Sequence, residues 1–66
     1  MELMSKIGDY IKKWRAEQRL TREQASHLLY CNAESIRKWE IGINDPSYST
    51  IKVIHDSTGA DWEDLF

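Results

Sequence analysis

Helix-starting and helix-stopping residues recur so closely along this chain that no helix in it can be long. Thr21-Arg-Glu-Gln24 is a capping box, in which a hydroxyl and an amide three residues apart satisfy each other's orphan backbone N–H groups. Asn32, Ser47 and Asp61 are further N-cap residues, and Ser5 precedes the first apolar stripe. Gly42 and Gly59 suit the left-handed position that closes a helix. Between Thr21 and Asn32 there is room for only about two helical turns.

Side-chain spacing agrees with this punctuation. Ile7, Tyr10, Ile11 and Trp14 fall at i, i+3, i+4 and i+7, one apolar stripe of a first helix. A second helix carries Ala25, Leu28 and Leu29. A third runs from Ala33 to about Ile41 and buries Ile36 and Trp39. Asn44-Asp45-Pro46 reads as a loop, Pro46-Ser47 opens a fourth helix with Ile51 and Ile54 inward, and Asp61 caps a last short turn through Leu65 and Phe66. There is no useful run of period-two alternation, no internal repeat and no low-complexity stretch. The expected fold is all-α, a compact five-helix bundle.

Length then narrows the classes. Sixty-six residues give one small domain, 1–66, whose core supplies only roughly 3–5 kcal/mol. A single Cys forms no internal disulfide, so a stapled secreted mini-protein is excluded. No apolar run approaches the ~18 residues of a membrane span, and no signal-peptide pattern opens the chain. A cytoplasmic protein without a membrane partner is expected.

The net charge of -2 argues at first against a nucleic-acid partner, because such domains usually carry a basic footprint. The charge is not evenly spread. Residues 1–22 hold six basic and three acidic side chains, +3; residues 23–45 sum to -2 and residues 46–66 to -3. The positive charge sits at one end.

Two short, capped helices joined by a tight turn over about 21–41 are a helix-turn-helix arrangement. The stretch from Ile7 to Leu65 resembles the lambda-repressor-like family, also called the Cro or XRE type. The resemblance rests on Ile7, Ile11, Arg15, Leu20-Thr21, Glu23, Leu29, Cys31 at the usual Val, Ile36, Trp39-Glu40-x-Gly42 and Pro46-Ser47. Ile51, Ile54, Gly59 and Leu65 continue the register without a gap. Trp-Glu-x-Gly alone is a weak signal; held in register with the capping box and Pro-Ser it is specific.

The resemblance implies a five-helix DNA-binding domain whose third helix enters the major groove. It places Ala33, Glu34, Arg37 and Lys38 toward base edges. Their chemistry suits that place: Ala33 for a thymine methyl, Glu34 for cytosine N4, Lys38 for guanine O6 and N7, and Arg37 for a base or a phosphate. Thr21, Arg22, Asn32, Asn44 and Ser47 fall where the DNA backbone is expected, helped by the N-termini of the second and fourth helices. The family also pairs an Arg near the end of helix 1 with the Glu after helix 3, so Arg15 and Glu40 are read as a structural ion pair.

Departures from the pattern are informative. Arg22 replaces the usual Gln and adds a charge. Ile41, Ile43 and Asn44 stand where basic or polar residues are common, leaving about 3–4 phosphate charges neutralised per protomer. Tyr30 occupies a turn position where Gly normally takes positive φ. Ala25, Ser26, His55 and Thr58 replace residues of other size or polarity.

Other chemistry recedes. His27 and Cys31 lie one turn apart, but no third group orients them as a nucleophile pair. Two His and one Cys on different helices do not have zinc spacing. No phosphate-binding loop is present, and Asp61, Glu63 and Asp64 suit helix capping and a solvated end. Trp14 and Trp39 fall on inner faces rather than on a base-stacking surface. No enzyme, metal, cofactor or small-molecule ligand is expected.

The sequence therefore supports a sequence-specific double-stranded DNA-binding regulator, a small Cro-like repressor or modulator of prokaryotic or phage type, acting at the nucleoid. One such domain covers only about 600–1,000 Å², so a homodimer on a two-fold operator is expected, with Trp62 and Phe66 as its surface. The alternative is a module that keeps the fold, has lost DNA binding and engages a protein partner as an antirepressor or adaptor. Glu34, Ile41, Ile43 and the acidic C-terminal third favour it.

Overall fold

The computed structural model describes residues 6–66, in which five helices and no strand are found. They are α1 (Lys6–Glu17), α2 (Arg22–Leu28), α3 (Ala33–Ile41), α4 (Tyr48–Thr58) and α5 (Trp62–Leu65). The Ser5 cap lies outside the described residues.

Capping chemistry sets the boundaries. Thr21 Oγ1 accepts from Gln24 N at 3.1 Å while Gln24 Oε1 accepts from Thr21 N at 2.9 Å, so the box at the start of α2 is closed in both directions. Asn32 Oδ1 accepts from Ser35 N at 2.8 Å and starts α3. Ser47 Oγ accepts from Thr50 N at 3.4 Å, so the helix after Pro46 begins at Tyr48. Asp61 occupies the last N-cap position but makes no side-chain cap bond.

Three helices end in the same way, with a left-handed residue and a backbone bond from the next residue to the carbonyl five positions back. Leu20 N reaches Arg15 O, Cys31 N reaches Ser26 O and Ile43 N reaches Lys38 O. The left-handed residues are Arg19 (φ 57°), Tyr30 (φ 55°) and Gly42 (φ 84°). Only Gly42 adopts this region without a Cβ cost.

The core is assembled from one face of each helix. Ile7 and Ile11, Ala25 and Leu29, Ile36 and Trp39, Ile51 and Ile54, and Ala60 with Leu65 are buried together. Helix α3 packs on α1 and α2, while α5 folds back on α1 and α4. Ala25 and Ser26 are both buried, and the Ser26 hydroxyl donates to Glu23 O at 2.6 Å, so a polar residue is accommodated where the helices approach. Two expectations change. Leu28 is an exposed residue rather than a core one, because α2 ends there and presents Leu29 inward. Trp14 and Cys31 are half-buried and pack against the margin of the core.

Candidate nucleic-acid interface

Burying Ile36, Trp39 and Glu40 turns the opposite side of α3 outward. Ala33, Glu34, Arg37 and Lys38 are exposed or half-buried on it. At nine residues α3 is about 13 Å long, and a helix about 10–12 Å across matches a major groove about 12 Å wide.

Three ion pairs, two of them sharing Glu40, organise the charges around this face. Arg15 and Glu40 meet in a fork: Arg15 Nε donates to Glu40 Oε2 at 2.9 Å and Nη2 to Oε1 at 3.1 Å. Arg15 Nη1 also donates to Leu20 O at 3.0 Å, which ties α1, the following turn and α3 together. The Glu40 side chain is only 1% exposed. Arg22 adds a third donor, with Nε 3.1 Å and Nη2 3.0 Å from Glu40 Oε1. This contact joins the first residue of α2 to the last turn of α3.

The third pair lies on the outward face itself. Arg37 Nε donates to Glu34 Oε1 at 3.0 Å, and Arg37 Nη2 donates to Oε2 at 2.5 Å. The hydrogen bond from Arg37, aided by the nearby charges of Arg37, Lys38 and Arg22, holds the Glu34 carboxyl below the usual carboxylate range. Reciprocally, Glu34 raises the Arg37 guanidinium further. Glu34 is thus paired with Arg37, and Arg22, itself paired with Glu40, and Lys38 are near enough for their charges to act on it.

The remaining residues sit around it. Thr21 and Asn32 are exposed, with their side-chain oxygens engaged as helix caps. Asn44 and Ser47 are exposed on the segment between α3 and α4. Ser47 Oγ lies 3.2 Å from Ser49 Oγ and 3.1 Å from Thr50 Oγ1. Beside the end of α3, Ile41 is 49% and Ile43 58% exposed.

A separate aromatic surface covers the C-terminal end. Trp62 stacks on His55 with ring centroids 4.0 Å apart, on Phe66 at 5.9 Å and on Tyr48 at 6.3 Å. His55 Nδ1 lies 2.6 Å from Ala60 O, which fixes the ring against the turn before α5. Lys6 Nζ donates to Glu63 O at 2.6 Å at the margin of this surface. Tyr48 is the residue that sequence reasoning missed. The available signal was its place at the first position of α4, outside the Ile51–Ile54 stripe.

A helix-turn-helix unit with a polar outward third helix, braced from behind by a buried arginine–glutamate fork, defines a class of DNA-binding domain. A family model described as "Helix-turn-helix" matches residues 11–65, and the chain belongs to this lambda-repressor-like family of DNA-binding helix-turn-helix domains. No curated protein and no solved structure matches the chain. Among the described residues no helix is long and apolar enough to cross a membrane, and no group of three or more His, Cys, Asp or Glu is placed to hold a metal ion.

Proposed function

We propose that the chain is a sequence-specific double-stranded DNA-binding transcription regulator, a small Cro-like repressor or modulator of a prokaryotic or phage-type cytoplasm. The observation that carries the reading is the outward face of α3, opposite buried Ile36, Trp39 and Glu40, which presents Ala33, Glu34, Arg37 and Lys38 beside Arg22 at the start of α2. Glu34 and Glu40 offset part of the charge of Arg37 and Arg22 there, so the face is basic only locally, in a chain of net charge -2. Helix α3 docks in the major groove, with Ala33, Arg37 and Lys38 toward base edges. Arg22, Thr21, Asn32, Asn44 and Ser47 face the backbone, where fixed amides and hydroxyls set register without reading sequence.

One domain covers a single half-site, and affinity comes from a second copy on a two-fold operator. The exposed stack of Tyr48, Trp62 and Phe66 is the proposed contact between copies. Anisotropy titration with random-sequence duplex at two salt concentrations tests the reading. Binding at low salt that weakens linearly in log–log salt is expected. Absence of binding at low salt sinks it.

A second reading, a protein-binding module such as an antirepressor or adaptor, draws on the exposure of Ile41 and Ile43 beside α3. The I41K/I43K double substitution separates the two. It strengthens an existing duplex affinity if this edge lies along the DNA backbone, whereas the second reading has the unsubstituted chain bind no duplex at low salt.

A further inference from the structure

The Glu34–Arg37 pair has a geometry that bears on how a base is read. Five N–H donors radiate from a guanidinium in a fixed fork. Glu34 takes the side edge, Nε and one Nη2 hydrogen. Both Nη1 hydrogens and the second Nη2 hydrogen remain, and one from each nitrogen forms the end-on fork that matches guanine O6 and N7. A pair this exposed, with side chains 40% and 57% accessible, contributes little to stability. What it does supply is orientation, because an arginine held at two atoms has already lost the rotamer freedom that binding would otherwise remove.

Resting on the DNA-binding reading above, we infer that Glu34 is a positioning residue that presents the Nη1–Nη2 edge of Arg37 to a guanine, so that discrimination at that base pair depends on Glu34 without Glu34 touching a base. This replaces the expectation that Glu34 accepts from cytosine N4. Each of its oxygens already accepts from Arg37, which aims the carboxylate along the helix face toward the arginine, and on this reading its part is to hold that arginine rather than to meet a base. It also accounts for an acidic residue on a face that must approach phosphates. The charge of Glu34 weakens general attraction and sharpens one contact.

The two effects move in opposite directions, which makes the inference testable. Wild type, E34Q, R37A and the E34Q/R37A double variant are each used to select bound sequences from a random duplex pool, and each is titrated on the wild-type site and on random duplex. Circular dichroism checks that all four keep their helices, which the exposure of both side chains makes the expected result. R37A is expected to lose guanine preference at one position, by roughly 5- to 150-fold, the range for one bidentate contact. E34Q is expected to lose at least threefold of that same preference while binding random duplex as tightly as wild type or more tightly. The double variant is expected to show no further loss at that position than R37A alone.

An E34Q profile identical to wild type at the Arg37-dependent position overturns the inference and leaves the DNA reading standing. So does an E34Q change at a position that R37A leaves alone, which would make Glu34 a direct reader. Failure of wild type to bind any duplex at low salt overturns the DNA reading and the inference together.

Discussion

Arg22 and Glu40, eighteen positions apart, meet at 3.0–3.1 Å, the side edge of the guanidinium resting on a carboxylate oxygen that Arg15 already holds from the opposite helix. The buried carboxylate therefore receives donors from α1 and α2 at once. It fixes the two helices that flank α3 and leaves the Nη1 side of Arg22 available to solvent-facing partners. One contact serves the packing of the bundle and the charge of its exposed face.

Removing Glu40 should unfold the domain. Three donors from two arginines converge on a side chain that is 1% exposed, so Glu40→Ala strands Arg15 in a largely dry site. Breaking a buried pair from one side costs about 3–5 kcal/mol, which equals the whole stability expected of a core this small, roughly 3–5 kcal/mol. Urea denaturation followed by far-ultraviolet circular dichroism should show Glu40→Ala mostly unfolded without denaturant. Glu40→Gln, which keeps an acceptor and the shape, should retain part of the transition. A loss below about 1 kcal/mol in Glu40→Ala would show that the fork does not hold the bundle together.

Arg22 should divide its influence differently. With its side chain 38% exposed, Arg22→Ala is expected to cost only about 0.5–1.5 kcal/mol of stability. If its outer edge meets phosphate, the same variant weakens binding to every duplex by a similar factor and lowers the log–log salt slope by about 1. Base preference stays as in wild type. An unchanged salt slope would confine Arg22 to the ion pair.

These two arginines show where sequence reasoning reaches its limit. Helix existence and order were legible because capping is local: Thr21 and Gln24, or Asn32 and Ser35, find each other within one turn. The Glu34–Arg37 spacing is likewise written in the chain, since residues three apart on a helix face each other. Arg22 gives no such sign, because Glu40 comes within reach only after α2 and α3 have packed. Leu28 misleads for the converse reason. Its apolar character suits a core, yet the end of α2 turns Leu29 inward instead. The aromatic stack around Trp62 was only half visible, since Tyr48 joins it from another helix.

Tyr30 offers a stabilising substitution. Its φ of 55° puts a Cβ-bearing residue in the left-handed region, and its 84% exposure means that little packing would be lost on truncation. The left-handed conformation costs about 1–2 kcal/mol for an ordinary residue. Glycine's greater freedom in the unfolded chain offsets about 0.5–1 kcal/mol of that. Tyr30→Gly should therefore gain about 0.5–1 kcal/mol and raise Tm by roughly 2–8 °C in a domain of this size. Arg19→Gly, at φ 57°, should act in the same direction. Lower Tm in both variants would mean that these side chains make contributions outweighing the backbone cost.

The thiol of Cys31 should make stability fall in mild alkali. It packs at the margin of the core, and burial pushes its pKa above the ordinary thiol value. Desolvation disfavours the thiolate in the folded chain, whereas in the unfolded chain the thiol ionises near pH 8.5. The folded state therefore holds a proton that the unfolded state releases between that pH and the higher folded value. By linkage, the stability contributed is fully present below about pH 8.5 and is lost as pH rises through the folded pKa. Urea midpoints measured from pH 7 to pH 10 should decline above about pH 8.5 in wild type and decline less in Cys31→Val, which places the family's usual residue at this position. Alkylation by iodoacetamide at pH 8 should be slow in the native protein and fast in urea, since only the thiolate reacts. Equal rates in the two conditions would show that the packing around Cys31 does not exclude water from its sulfur.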